Sequence, residues 1–466
     1  MKIRKALLAI PLVMGLAVFA APAAHADNVN TDGVITTDNG TSVQVGITKL
    51  LQLPVGTIIP TDTFTFLASG NELETDLTTV LGDAPALNTD NMSIGYASTD
   101  QASASGDVVT VTMNTGDILA GVAWPHAGIY QYTVTEDQTA PVSTDPAVSP
   151  YEHWSDSHAS YTLTVYVANV VNSDGSPVLD DNGDPVVGST GNPAVYVSTV
   201  TDTVASEDSL NPNPAAEGTK VDPTPGGDTG ASGMAFTNNY VKTDNPNGSD
   251  PTTNPSLTIS KTVTGALGDK TKYFDFTVTM KPSTLDVNPP AFYMAYVVDS
   301  NGIVEDVSAN GLAPTQTDAN SDTYVEVPAD GTSFSFSLKD GQSLNFVGVA
   351  DGTTYDVNEV SLDGYEPSYL VTTGTTPVQS SDLTLGDASG SATVGTPLDT
   401  STQLVADTTT GGANLAAYTN NRSMITPTGL IMSQLPFVGL FGVVLLALVA
   451  FIVVRARAGK KAQAAA

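Results

Sequence analysis

The sequence predicts an all-β protein of two tandem antiparallel sandwiches, on three observations. Short runs of Val, Ile, Thr, Tyr and Phe alternate with polar residues and recur along the chain, the period of a strand buried on one face. Asn, Asp, Gly and Pro separate them, and these are the residues that turns require. No long helical periodicity precedes residue 435.

Phe64-Thr65-Phe66, Tyr130 to Thr135 and Tyr161 to Val167 are the clearest strands of a first domain, 27–242. That domain is long for a sandwich, and its excess is expected in an insertion at about 169–233. A linker follows at 243–255, dense in Asn, Pro, Asp and Thr. Phe274 to Met280, Phe334 to Leu338 and Thr354 to Val357 fall in a second domain, 256–422.

The two ends differ from this body. Lys2, Arg4 and Lys5 precede an apolar stretch and an Ala24-His25-Ala26 cleavage site, the layout of a secretory signal peptide over 1–26. At the other end Ile425-Thr426-Pro427-Thr428-Gly429 precedes an apolar run, 435–454, and a basic tail, 455–466. The run is long enough to cross a ~30 Å hydrocarbon core as a helix, and the basic residues hold the tail in the cytoplasm. Pentapeptide, span and tail in that order read as a cell-wall sorting signal, with transient membrane anchoring by the helix.

Composition narrows the function further. The chain carries 49 Asp and Glu against 16 Lys and Arg. Seven of the basic residues lie in the two flanks, so the region between them carries about −40. Such a surface excludes nucleic acid and anionic lipid as partners, since both need a basic patch. Cysteine is absent, so an exported chain must gain stability from its cores or from another covalent link. At 41% hydrophobic residues the body is folded rather than disordered. His126, His153 and His158 show no catalytic or metal-ligand spacing, and Trp124 and Trp154 read as packing residues. Nothing calls for a metal, a cofactor or an enzyme acting on external substrates.

One sparse pattern occurs in both domains. Each has a lysine on its first strand (Lys49, Lys261), an aromatic-x-Phe strand (Phe64 and Phe66; Phe274 and Phe276), a glutamate after a Tyr-containing strand (Glu136, Glu359) and a closing aromatic-Thr-Asn-Asn (Phe236 to Asn239; Tyr418 to Asn421). Alternate side chains of a strand face the same way. Lys49 shares its face with Val45 and Ile47, Lys261 with Ile259 and Val263, Glu136 with Tyr132 and Val134, and Glu359 with Tyr355 and Val357. Asn238 lies in register with Phe236 and Tyr240, and Asn420 with Tyr418; a one-residue slip would exchange them for Asn239 and Asn421. Burial favours the neutral amine and the neutral acid. An uncharged lysine beside an acid-polarised asparagine amide can attack its carbonyl and expel ammonia. The alternative is a buried Lys–Glu salt bridge with a hydrogen-bonded asparagine.

These residues resemble the major, or backbone, pilins of Gram-positive bacteria, especially the streptococcal type with two isopeptide-bonded, collagen-adhesin B-like domains. The resemblance rests on Ile47-Thr48-Lys49, Thr61 to Phe66, Gly128 to Glu136 and Ser160-Tyr161-Thr162 in the first domain. In the second it rests on Leu257 to Lys261, Gly268-Asp269-Lys270, Phe336 to Gly341 and Tyr418-Thr419-Asn420. It implies Ig-like, CnaB-type sandwiches with bonds Lys49–Asn238 and Lys261–Asn420, and with Glu136 and Glu359 catalysing them. It further implies a pilus-dedicated sortase that cleaves between Thr428 and Gly429, and a lysine of the next identical subunit that resolves the acyl-enzyme. Lys220 occupies the family's acceptor position, with Lys242 as runner-up. The implied partners are accessory and tip pilins, peptidoglycan and a host glycan or matrix protein; the implied location is a wall-anchored surface pilus. A non-polymerising wall-anchored adhesin, or a tip or accessory pilin, would share every one of these features except the cross-linked lysine.

Overall fold

The computed structural model describes residues 28–29, 34–36, 43–139, 152–172, 174–179, 182–184, 186–187, 194–224, 233–243, 250–286, 289–312, 316–360, 364–374, 388–408 and 413–423. The expected signal peptide, the expected sorting motif with Thr428 and Gly429, the apolar run at 435–454 and the basic tail lie outside them. Among the described residues the protein is all-β, with only two 3₁₀ turns, Thr89–Asn91 and Val307–Asn310.

Each domain pairs two sheets over one core. In the first, the larger sheet runs in the order Asn28–Val29, Val34–Thr36, Val195–Ser206, Ser160–Asn169, Gly128–Glu136, Thr63–Leu73, Val80–Asp83. The smaller runs Glu152–Ser155, Ala235–Lys242, Thr48–Pro54, Val108–Asn114, Ser103–Ser105. In the second domain the larger sheet centres on Ser343–Val347, Leu257–Thr264, Leu415–Asn421 and Glu366–Thr372, and faces a sheet built on Phe334–Leu338, Phe274–Lys281 and Thr354–Glu359. Alternation explains the strands directly: Phe274, Phe276, Val278 and Met280 are buried while their neighbours are not.

The stretch expected to hold the insertion, 169–233, contains a strand of the larger sheet, since Val195–Ser206 pairs with Ser160–Asn169 along its length. Val200 and Val204 point from that strand into the first core. Its inner face carries Asp202 between Val200 and Val204, and a charge at an inward position conceals the strand in the sequence.

In both domains the lysine-bearing strand, Thr48–Pro54 or Leu257–Thr264, and the last strand run parallel and adjacent. Lys49 sits in register with Phe236, two residues before Asn238; Lys261 sits in register with Tyr418, two residues before Asn420. Two tyrosines tie the facing sheets together: Tyr161 donates to the Ala235 carbonyl at 2.8 Å, and Tyr418 to the Val357 carbonyl at 2.6 Å. Many of the acidic residues form turns. Asp76, Asp250, Asp269 and Asp330 each accept a backbone N–H from a threonine two residues on, an arrangement that holds each carboxyl below its ordinary range.

Candidate functional site: two buried lysine, glutamate and asparagine clusters

The register described above places lysine and asparagine side by side on one sheet of each domain, and the glutamate reaches them from the facing sheet. In the first domain Lys49 Nζ donates to Glu136 Oε2 at 2.7 Å, and Asn238 Nδ2 donates to Glu136 Oε1 at 2.6 Å. In the second, Lys261 Nζ and Asn420 Nδ2 both donate to Glu359 Oε1, at 2.6 and 2.8 Å. All six residues are buried. Asn238 and Asn420, rather than Asn239 and Asn421, meet the glutamates.

The surroundings are apolar and aromatic. The Lys49 amine lies 4.6 Å from the Phe64 ring centre and the Lys261 amine 4.4 Å from that of Phe274, so the aromatic-x-Phe strand forms one wall of each cluster. Burial pushes both lysines down to about 8, against the opposing pull of the glutamates. Burial likewise pushes Glu136 and Glu359 above the ordinary carboxyl range. Both shifts favour the uncharged amine and acid.

The first cluster has additional members. The backbone N–H of Ser157 donates to the Asn238 carbonyl oxygen at 2.7 Å, drawing electron density from its carbon. Asp156 lies 3.3 Å from Asn238 Nδ2, and Asp208 holds both Ser157 Oγ and the Thr237 N–H. Sequence reasoning missed Asp156, Ser157 and Asp208, since they lie in loops where no periodicity marks a facing. In the second cluster, among the described residues, Asn420 Oδ1 and Glu359 Oε2 are buried without a hydrogen-bond partner. A glutamic acid O–H and an amide carbonyl are the pair that would satisfy them.

The remaining predicted residues lie elsewhere. Lys220 is exposed on a two-residue edge strand, opposite Thr203. Lys242 ends the last strand of the first domain and is mostly buried, with its amine 2.6 Å from Asp407 Oδ2 of the second domain. Among the described residues, no cluster of His, Cys, Asp and Glu has the geometry to hold a metal.

Comparison with known proteins adds to this geometry. Residues 255–385 match the family described as a domain of unknown function (DUF7601). A pilin of Streptococcus pyogenes serotype M1 is 26% identical over 185 residues, 40% of this chain and 44% of that protein. The chain is a relative of the Gram-positive pilins. The pilus tip adhesin Cpa of Streptococcus pyogenes is 34% identical to this pilin relative over 112 residues, 24% of this chain and 12% of the adhesin. The match therefore spans less than half of either curated protein's length. Among solved structures, the major pilin of Streptococcus pyogenes aligns with 82% of this chain and 100% of its own, at 20% identity and a TM-score of 0.28. The T-13 major pilin of that species aligns with 84% and 100%, at 17% and 0.27. Overlays this loose carry no residue correspondences.

Proposed function

We propose that this pilin relative is a structural pilus subunit, exported and polymerised by a sortase, whose two CnaB-type domains are each closed by a Lys–Asn isopeptide bond. The observation that carries the reading is the recurrence of one buried lysine, glutamate and asparagine arrangement in both domains. A lone buried salt bridge would need no asparagine amide on the same carboxyl.

The chemistry balances without a cofactor. The neutral Lys49 amine attacks Cγ of Asn238, the Nζ–Cγ bond forms, the Cγ–Nδ2 bond breaks and ammonia leaves. Glu136 takes the proton from the attacking nitrogen and delivers one to the departing nitrogen. The Ser157 N–H stabilises the oxygen as charge builds on it. Lys261, Asn420 and Glu359 act likewise in the second domain. Polymerisation joins Thr428 of one subunit to a lysine of the next, which the exposure of Lys220 favours over Lys242. Accessory pilins and peptidoglycan are the partners of such a subunit, and the cell surface is its location.

The test is the intact mass of the 27–428 chain. A deficit of two ammonia molecules, one restored by Glu136→Ala and the other by Glu359→Ala, supports the reading, whereas an unmodified mass reduces both clusters to polar networks. The likeness to a tip adhesin supports a second reading, an accessory or tip subunit that presents a host-binding surface. It predicts no polymer ladder cross-linked through Lys220.

A further inference from the structure

The junction between the domains holds a charge pair that the isopeptide chemistry does not use. Lys242 is the last residue of the strand that carries Asn238, and its amine lies 2.6 Å from Asp407 Oδ2, whose side chain is fully buried. The contact is cross-domain and sits in a packed seam. The Asp351 N–H donates to the Lys242 carbonyl at 2.8 Å, and the Asp407 N–H to the Gly56 carbonyl at 3.0 Å. Val241 packs with Leu285 and Ala350 of the second domain, and Leu404 of the second domain joins the core of the first. Gly352 abuts Pro54 so closely that a methyl group there would collide with the proline ring.

We propose that the Lys242–Asp407 pair is a latch: it fixes the two domains as one body and withholds the Lys242 amine from acyl transfer, so that of the two candidate acceptors Lys220 is the available one. The part concerning the acceptor rests on the sortase reading above; the latch itself does not. Removing the Asp407 carboxylate takes away the partner 2.6 Å from a mostly buried amine, which weakens the seam. An amine already donating to a buried carboxylate also lacks the free approach that a nucleophile needs.

Amine acetylation of the folded 27–428 chain, followed by peptide mass spectrometry, tests this directly. Lys220 serves as the exposed reference, while the circular dichroism spectrum reports that both domains remain folded. Lys242 is expected to react at least about tenfold more slowly than Lys220. Asp407→Ala is expected to bring Lys242 to the rate of Lys220, with the circular dichroism spectrum unchanged, and to broaden the interdomain distance distribution in small-angle scattering. Should that variant fail to fold, the near-isosteric Asp407→Asn is read in the same way. Equal rates for Lys242 and Lys220 in the unaltered chain would overturn the latch, as would an Asp407 variant with unchanged labelling and scattering. A protected Lys242 with no ladder from sortase would instead sink the polymerisation reading and leave the latch standing.

Discussion

A lysine flanked two residues away by Ile47 and Leu51 has little choice of facing, and the structure buries Lys49 with them. The same register argument located Glu136, Glu359, Asn238 and Asn420, because each lies on a strand whose alternation marks an inner face. Replacing Glu136 by Gln keeps the packing but removes the proton carrier. The variant is expected to fold and to retain the extra ammonia mass of an open first domain, with Lys261–Asn420 unaffected. Asp202 was not legible, since Thr201-Asp202-Thr203 reads as a polar edge. It is instead fully buried between Val200 and Val204, with neither oxygen hydrogen-bonded among the described residues. Burial pushes its carboxyl well above the ordinary range. A raised carboxyl pKa in the folded state means that the unfolded chain gives up its proton first. Asp202 therefore costs stability progressively as pH rises above about 4. Asp202→Asn is expected to stabilise the protein at pH 7, with the gain vanishing near pH 4 in denaturant titrations. An unchanged difference across that range would show that another group sets the slope.

At the level of strands, the sequence marks the elements with dense apolar alternation and misses Val195–Ser206, whose inner face carries Asp202 between two valines. The lysine and asparagine pattern brings the lysine-bearing and closing strands together, but their parallel pairing and register leave no local trace in the sequence. Gly70 shows how closely the larger sheet of the first domain is packed. A methyl group there would lie 2.3 Å from Tyr132 Cδ1, and the Tyr132 hydroxyl donates to the Pro85 carbonyl at 2.7 Å. Gly70→Ala should displace that ring and lower stability by about 1–3 kcal/mol in urea unfolding. Strand order also sets the proposed response to tension. With Lys220 and Thr428 as attachment points, Lys261–Asn420 spans the second domain between them, while Lys49–Asn238 lies largely outside the path. In single-molecule pulling of polymerised subunits, Asn420→Ala should release the second domain as extra length and Asn238→Ala should not. No added extension from Asn420→Ala would sink the Lys220 assignment.

For the whole molecule, the excess of acid leaves few amines to choose from, and the fold sorts those few by exposure. Lys49 and Lys261 are sealed in cores and Lys242 is held in the seam, whereas Lys220 stands on an edge strand of the first domain and Lys270, Lys272 and Lys281 are exposed on the second. Lys220→Ala is therefore expected to abolish the polymer ladder formed with sortase, and Lys242→Ala to leave it intact. The parallel contact between the lysine-bearing and last strands has one more consequence. Contacts between distant segments are late events in folding, since the chain must close its largest loops to make them. Amine and amide meet only when that contact exists, so under the proposed chemistry each bond forms as a certificate that its domain is complete. Ammonia diffuses away and the step does not reverse. A chain that stalls short of the final pairing stays unsealed and open to proteases, which turns an ordinary folding end point into a quality check written in covalent form.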